Sequence, residues 1–121
     1  MRTGSVLPSS SEFLNTEAAL NELINVSTGF SSASLSSVED LDTTQTLLAA
    51  NSDRKGCVIF NDSSAILYVA FAAIATTSAF TYRITPYATL ELFGDKNYAG
   101  AISGIWASDA GGNARITELE S

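Results

Sequence analysis

Residues 65–73, Ala65-Ile66-Leu67-Tyr68-Val69-Ala70-Phe71-Ala72-Ala73, set the architecture. They are rich in β-branched and aromatic side chains and are bounded by Asn61-Asp62-Ser63-Ser64 and Thr76-Thr77-Ser78, so they read as a strand between two turns. Period-two alternation puts Ile66, Tyr68 and Ala70 on one side and Leu67, Val69 and Phe71 on the other. Neither side is built for water. Such a strand belongs in the middle of a fold, with another layer approaching its small alanines closely.

Strand patterns continue on both sides of this one. They cover Thr43 to Ala49, Gly56 to Phe60, Ile66 to Ala73, Phe80 to Thr85, Thr89 to Phe93, Gly100 to Ala107 and Asn113 to Glu118. Turn-type sequences separate them: residues 51–56, 61–64, 76–78, 94–97 and 109–113 all combine Asn, Asp, Ser, Thr or Gly. Turn signals about ten residues apart leave no room for helical crossovers, which predicts an antiparallel β-sandwich of about seven strands, jelly-roll or immunoglobulin-like. Phe80, Tyr82 and Ile84 alternate with Thr81, Arg83 and Thr85, and Leu90 and Leu92 with Thr89 and Glu91, so one face of each strand points inward. Trp106 reads as a core anchor beside Gly104, which makes room for a large ring or a neighbouring backbone. Arg83 and Glu91 are expected to pair across the Pro86-Tyr87-Ala88 connection. Residues 109–113 are expected to form a hairpin between the last two strands.

The N-terminal third reads differently. Residues 1–10 are short, polar and Ser/Pro-bearing, as in an extended arm. From Ser11 or Asn15 to about Val26 the pattern is helical, with Leu20, Leu23 and Ile24 at i, i+3 and i+4 and Phe13 and Leu14 on or near the same face. So short a helix with one apolar stripe needs a partner, either its own domain or a neighbouring subunit. Ser27 to Ser37 is low-complexity, broken only by Phe30 and Leu35, and reads as a linker. The expected division is therefore 1–42 for arm, helix and linker and 43–121 for the sandwich. Phe13, Leu20, Leu23, Ile24 and Phe30 are the candidate partner-binding residues.

With 121 residues the chain suits one domain with a real core. The formal charge of −7 argues against nucleic-acid binding, which needs cations to displace phosphate counterions. Much of the acidity lies early, where Arg2 stands against Glu12, Glu17, Glu22, Glu39, Asp40 and Asp42. There is no histidine, which removes the usual general base and the commonest metal ligand together. The single cysteine, Cys57, lies in the strand-like run Cys57-Val58-Ile59-Phe60 and reads as a small buried hydrophobe. Glu39, Asp40 and Asp42 lack the ligand spacing of a calcium loop and read as a solvated acidic turn. Asp53, Asp62, Asp95 and Asp109 sit in turns, where an aspartate caps its own backbone. No catalytic residue, cofactor site or metal site is expected, and no enzyme. The first residues lack an apolar signal core, and the apolar run from Ala65 to Ala75 falls short of the ~20 residues of a membrane helix.

A resemblance is carried by Asn61 to Val69, Phe80-Thr81-Tyr82-Arg83-Ile84-Thr85-Pro86, Leu90-Glu91-Leu92, Tyr98 to Trp106, and Gly112 to Glu118. Taken in order, this block resembles small structural proteins of tailed bacteriophages, over residues 57 to 119. The departure is Pro86-Tyr87, where those proteins often have Pro-Gly. The resemblance implies a virion component, made in the host cytoplasm and residing on the phage head. It would be a capsid decoration or cement protein, or a head or tail fibre or adaptor element. The implied partners are the major capsid protein or another virion protein, together with copies of itself in a homo-oligomer such as a trimer. The alternative is a receptor- or carbohydrate-binding module, with Tyr87, Tyr98 and Phe93 stacking on a ligand.

Overall fold

A computed structural model describes residues 30–121. The arm, the helix and the candidate residues Phe13, Leu20, Leu23 and Ile24 lie outside the described residues. Eight strands follow one another: β1 (Ser32–Glu39), β2 (Gln45–Leu48), β3 (Arg54–Asp62), β4 (Leu67–Ala70), β5 (Tyr82–Ile84), β6 (Thr89–Phe93), β7 (Ile102–Trp106) and β8 (Asn113–Glu120), with a 3-10 turn at Gly94–Lys96. They form two antiparallel four-stranded sheets, ordered β1-β8-β3-β6 and β2-β7-β4-β5.

The pairing is nested. β1 lies beside β8, β2 beside β7, β3 beside β6 and β4 beside β5, as in one long hairpin, and the contacts β3 to β8 and β4 to β7 come from rolling that hairpin up. This is the jelly roll of the two expected topologies. Only β4 and β5 are neighbours both in sequence and in a sheet; every other connection crosses between the sheets. Two expectations fail for that reason. Arg83 lies opposite Tyr68 in one sheet while Glu91 lies opposite Val58 in the other, so they are not a cross-strand pair. Residues 109–113 pass from one sheet to the other and do not close a hairpin.

The core forms where the inner faces meet. β3 contributes Cys57 and Ile59, β6 Leu92, β8 Ala114 and Ile116, and the facing sheet supplies Leu47, Leu67, Val69, Ile84, Ile102 and Trp106. Leu67, Val69, Ile59, Leu92, Ile102 and Trp106 have no exposed surface, which places β4 at the centre of its sheet. The central strand is shorter than its pattern predicts: it ends at Ala70, and Ala72 and Ala73 are exposed in the loop that follows. Phe80, expected to face inward with Tyr82 and Ile84, lies before β5, 41% exposed and edge-on to Tyr68. A Cβ on Gly104 would lie 2.8 Å from a methyl of Leu47 and 3.0 Å from one of Leu67, so the missing side chain is the space those leucines occupy. At one end Phe71 stacks on Tyr98, centroids 4.5 Å apart, and meets Tyr82 edge-on at 5.7 Å.

The serine-rich segment is the main correction. Ser32–Glu39, of which residues up to Ser37 read as linker and Glu39 as acidic turn, all within a separate N-terminal region, form β1 and pair with β8 from Ser32 opposite Glu120 to Glu39 opposite Asn113. The sandwich therefore begins well before Thr43. β1 was hidden because it is an edge strand exposed along most of its length, so its apolar positions are few and its serines face water.

Candidate functional site

Most polar side chains of the interior act as fastenings, Ser103 Oγ and Asn97 Oδ1 being buried without a partner. β3 carries one at each end. At its start, the Arg54 side chain is fully buried; its Nε donates to Glu118 Oε2 at 2.9 Å, and its terminal nitrogens donate to the carbonyls of Ala49 at 2.6 Å, Gly100 at 3.1 Å and Tyr98. One guanidinium thus joins the loops before β3 and before β7 to the end of β8, with the planar fork of donors that arginine alone provides. The Asn97 amide donates to the Arg54 carbonyl at 2.6 Å and the Asn51 amide to Glu120 at 2.6 Å, which closes the same corner.

At the other end of β3, Asn61 has no exposed surface. Its carbonyl oxygen accepts from Trp106 Nε1 at 3.0 Å, and its amide nitrogen donates to the carbonyls of Ala65 at 2.9 Å and Ile84 at 3.1 Å. Its backbone holds the turn after β5: Asn61 N–H donates to Ala88, and Tyr87 N–H donates to Asn61. Tyr87 is locked there at φ 61°, the left-handed conformation that glycine adopts freely, and the residue is 61% exposed. The Pro86-Tyr87 pair therefore keeps a glycine-type backbone.

Asp40 forms a third fastening and is not a solvated residue of an acidic turn. It is buried, accepts from Ser63 Oγ at 2.5 Å and from Ala110 N–H at 3.2 Å, and its own N–H donates to Gly112. Burial raises its pKa, but the Ser63 hydroxyl and the backbone around Gly112, Ala110 and Gly111 outweigh that and hold it below the ordinary carboxylate value. Asp109 accepts from Asp42 N–H at 2.7 Å, and Asp62 pairs with Arg115 at 3.1 Å. These two aspartates bind across loops and strands and do not merely cap their own turns.

Among the described residues, no group of three or more His, Cys, Asp or Glu side chains is placed to hold a metal ion. Cys57 is buried, and burial pushes its thiol up to about 11, away from the thiolate form a nucleophile needs.

The candidate surface is the outside of the β1-β8-β3-β6 sheet and its β1 edge. Gly56 follows the outward register, and a Cβ there would collide with the ring of Phe93, so that ring lies over the outer face. Phe30, 41% exposed, packs against Phe93 with centroids 5.7 Å apart. Leu35 stands 81% exposed on β1. A shallow cavity of about 270 Å³ runs beside it, lined by Leu35, Ser36, Ser37, Arg115, Ile116 and Thr117. Of the predicted partner-binding residues, Phe30 alone is described, and it sits at this surface. Leu35, which also breaks the serine-rich run, is not among those candidates because a lone leucine among serines has no periodic company; the alternation of Ala33 and Leu35 with Ser34 and Ser36 was the available signal.

The aromatic residues expected of a ligand platform do not cluster. Tyr98 is stacked on Phe71 at one end of the sandwich, Phe93 is covered by Phe30, and Tyr87 stands alone on the turn after β5. Comparison with protein-family models, with curated proteins and with solved structures finds no match for this chain.

Proposed function

We propose that the chain is a non-enzymatic virion structural protein, a capsid decoration or cement protein that binds the phage head and assembles with copies of itself. The observation that carries this reading is the contrast between the interior and the surface. Each of the principal buried polar clusters serves as a fastening, while apolar groups remain outside at Phe30, Leu35, Ile74 and Phe80, with a shallow cavity between Leu35 and β8. A rigid body with an open flank suits a part that is held by neighbours. Jelly rolls serve viral capsids and lectins alike, so the fold is compatible with this role by analogy only. The N-terminal residues 1–29, with Phe13 and the Leu20, Leu23 and Ile24 stripe, would add the grip on the major capsid protein.

The test is the composition of purified phage particles from the encoding virus. The chain should be present in a fixed ratio to the major capsid protein, and antibodies against it should label heads. Particles that lack it overturn the proposal.

Tyr87 favours a second reading, a receptor- or carbohydrate-binding module of a head or tail fibre. The residue is 61% exposed on a turn held by Asn61, an arrangement that presents an aromatic side chain at little entropic cost. Binding of the purified protein to host cells that is lost in Tyr87→Ala would support it.

A further inference from the structure

We infer that two copies of this chain join through β1, edge to edge and antiparallel, so that two four-stranded sheets become one of eight strands. The inference rests on the assembly reading above for its choice of a second copy as the partner.

The four sheet edges differ in how well they are guarded. β6 spans only Thr89–Phe93, carries Glu91 and runs straight into the 3-10 turn. β2 has four residues and a register shift between Thr46 and Leu48, and β5 has three residues with Arg83 in the middle. Short length, bulges and charges are the usual means of keeping strand edges from pairing. β1 has none of them over most of its length. It spans eight residues, keeps an unbroken register with β8, contains no proline, and carries its single charge at the last position, Glu39.

The partner follows from charge and shape. Two copies each bearing −7 repel one another over most of their surfaces, and Ser32 to Val38 is the longest uncharged edge among the described residues. Its side chains are serine, alanine, leucine and valine, small enough for two backbones to approach. In the register that sets Leu35 opposite its own copy, Glu39 meets Ser31, so no like charges face each other. That register also takes two leucines, each 81% exposed in the single chain, out of water together. The interface is isologous, and it closes without leaving a further β1 edge to propagate.

The experiment is sedimentation of the full chain over a range of concentrations, beside Leu35→Lys. The wild type should dimerise, and the variant, which sets two lysines face to face, should dimerise at least ~10-fold more weakly while keeping the same circular dichroism. Leu35→Cys should form a covalent dimer on mild oxidation, because the native Cys57 is buried; Ser78→Cys, on the loop between β4 and β5, should not. A wild type that stays monomeric, or a Leu35→Lys variant with the wild-type mass, overturns the pairing and leaves the virion reading to its own test on particles. A monomer whose β1 amides resist hydrogen exchange would assign the edge to residues 1–29 and overturn it as well.

Discussion

Arg54 and Glu118 meet at 2.9 Å at one end of the core, the arginine side chain without exposed surface and the glutamate side chain 17% exposed. The pair joins the first residue of β3 to the C-terminal end of β8, strands that run side by side but lie far apart in sequence. Removing one partner of a buried pair leaves an uncompensated charge or a set of orphaned carbonyls, at a cost of about 3–5 kcal/mol. Arg54→Met should lose that much in urea unfolding. Arg54→Lys should recover little of it, since one ammonium cannot reach the carbonyls of Ala49, Tyr98 and Gly100 together.

Asn61 divides its two roles between two atoms, and substitution separates them. Asn61→Asp keeps an acceptor for Trp106 but turns the donor that faces Ala65 and Ile84 into another acceptor. It should therefore unfold more easily at neutral pH than the wild type, by about 1–3 kcal/mol or more because the new charge is buried. Tyr87→Gly should move the other way. The left-handed backbone costs a non-glycine residue roughly 1–2 kcal/mol, which glycine recovers less its larger chain entropy. A thermal melt no lower than wild type is the expected result.

Truncation distinguishes the strand from a linker. A chain beginning at Phe30 keeps all eight strands and should unfold cooperatively in denaturant, with the β-type circular dichroism of the full chain. One beginning at Thr43 loses β1, exposes the flank of β8, and removes Asp40 from Ser63 and Ala110. It should aggregate or melt without a sharp transition.

The depressed pKa of Asp40 fixes the sign of one pH effect. Because folding favours its ionised form, its stabilisation is present above the unfolded-chain value of about 3.9 and fades as pH falls through the lower folded-state value. Asp40→Asn should be the less stable protein at pH 7, and the gap should narrow below pH of about 3.9. Paired unfolding curves at the two pH values check this.

The seven strands after Asp42 were legible because each buries one face, so that alternation and turn residues mark them. Residues 89–93, with Leu90 and Leu92 against Thr89 and Glu91, coincide with β6. β1 was not legible, since an exposed edge strand of serines carries the composition of a linker. Strand order was out of reach for a related reason. Sequential strands ordinarily pair, and the misassigned partners of Arg83 and Glu91 follow from that habit, whereas here the connections cross between sheets. The fastenings were hidden as well: Arg54 lies in a polar run, 51–56, whose composition signals a turn, and only packing shows its side chain pointing inward. At the candidate surface, Phe30 could be singled out as an aromatic in a serine-rich stretch, but nothing in its neighbours pointed to Phe93.

The nested pairing of the strands has a consequence for how the chain is made. β4 and β5 come together while they are still close in sequence, but β3 must wait for β6, β2 for β7 and β1 for β8. Of the described strands, β1 is therefore made first and can meet β8 only after all the others have been translated. Its serines suit that wait, since a polar strand stays hydrated until its partner in the sheet arrives.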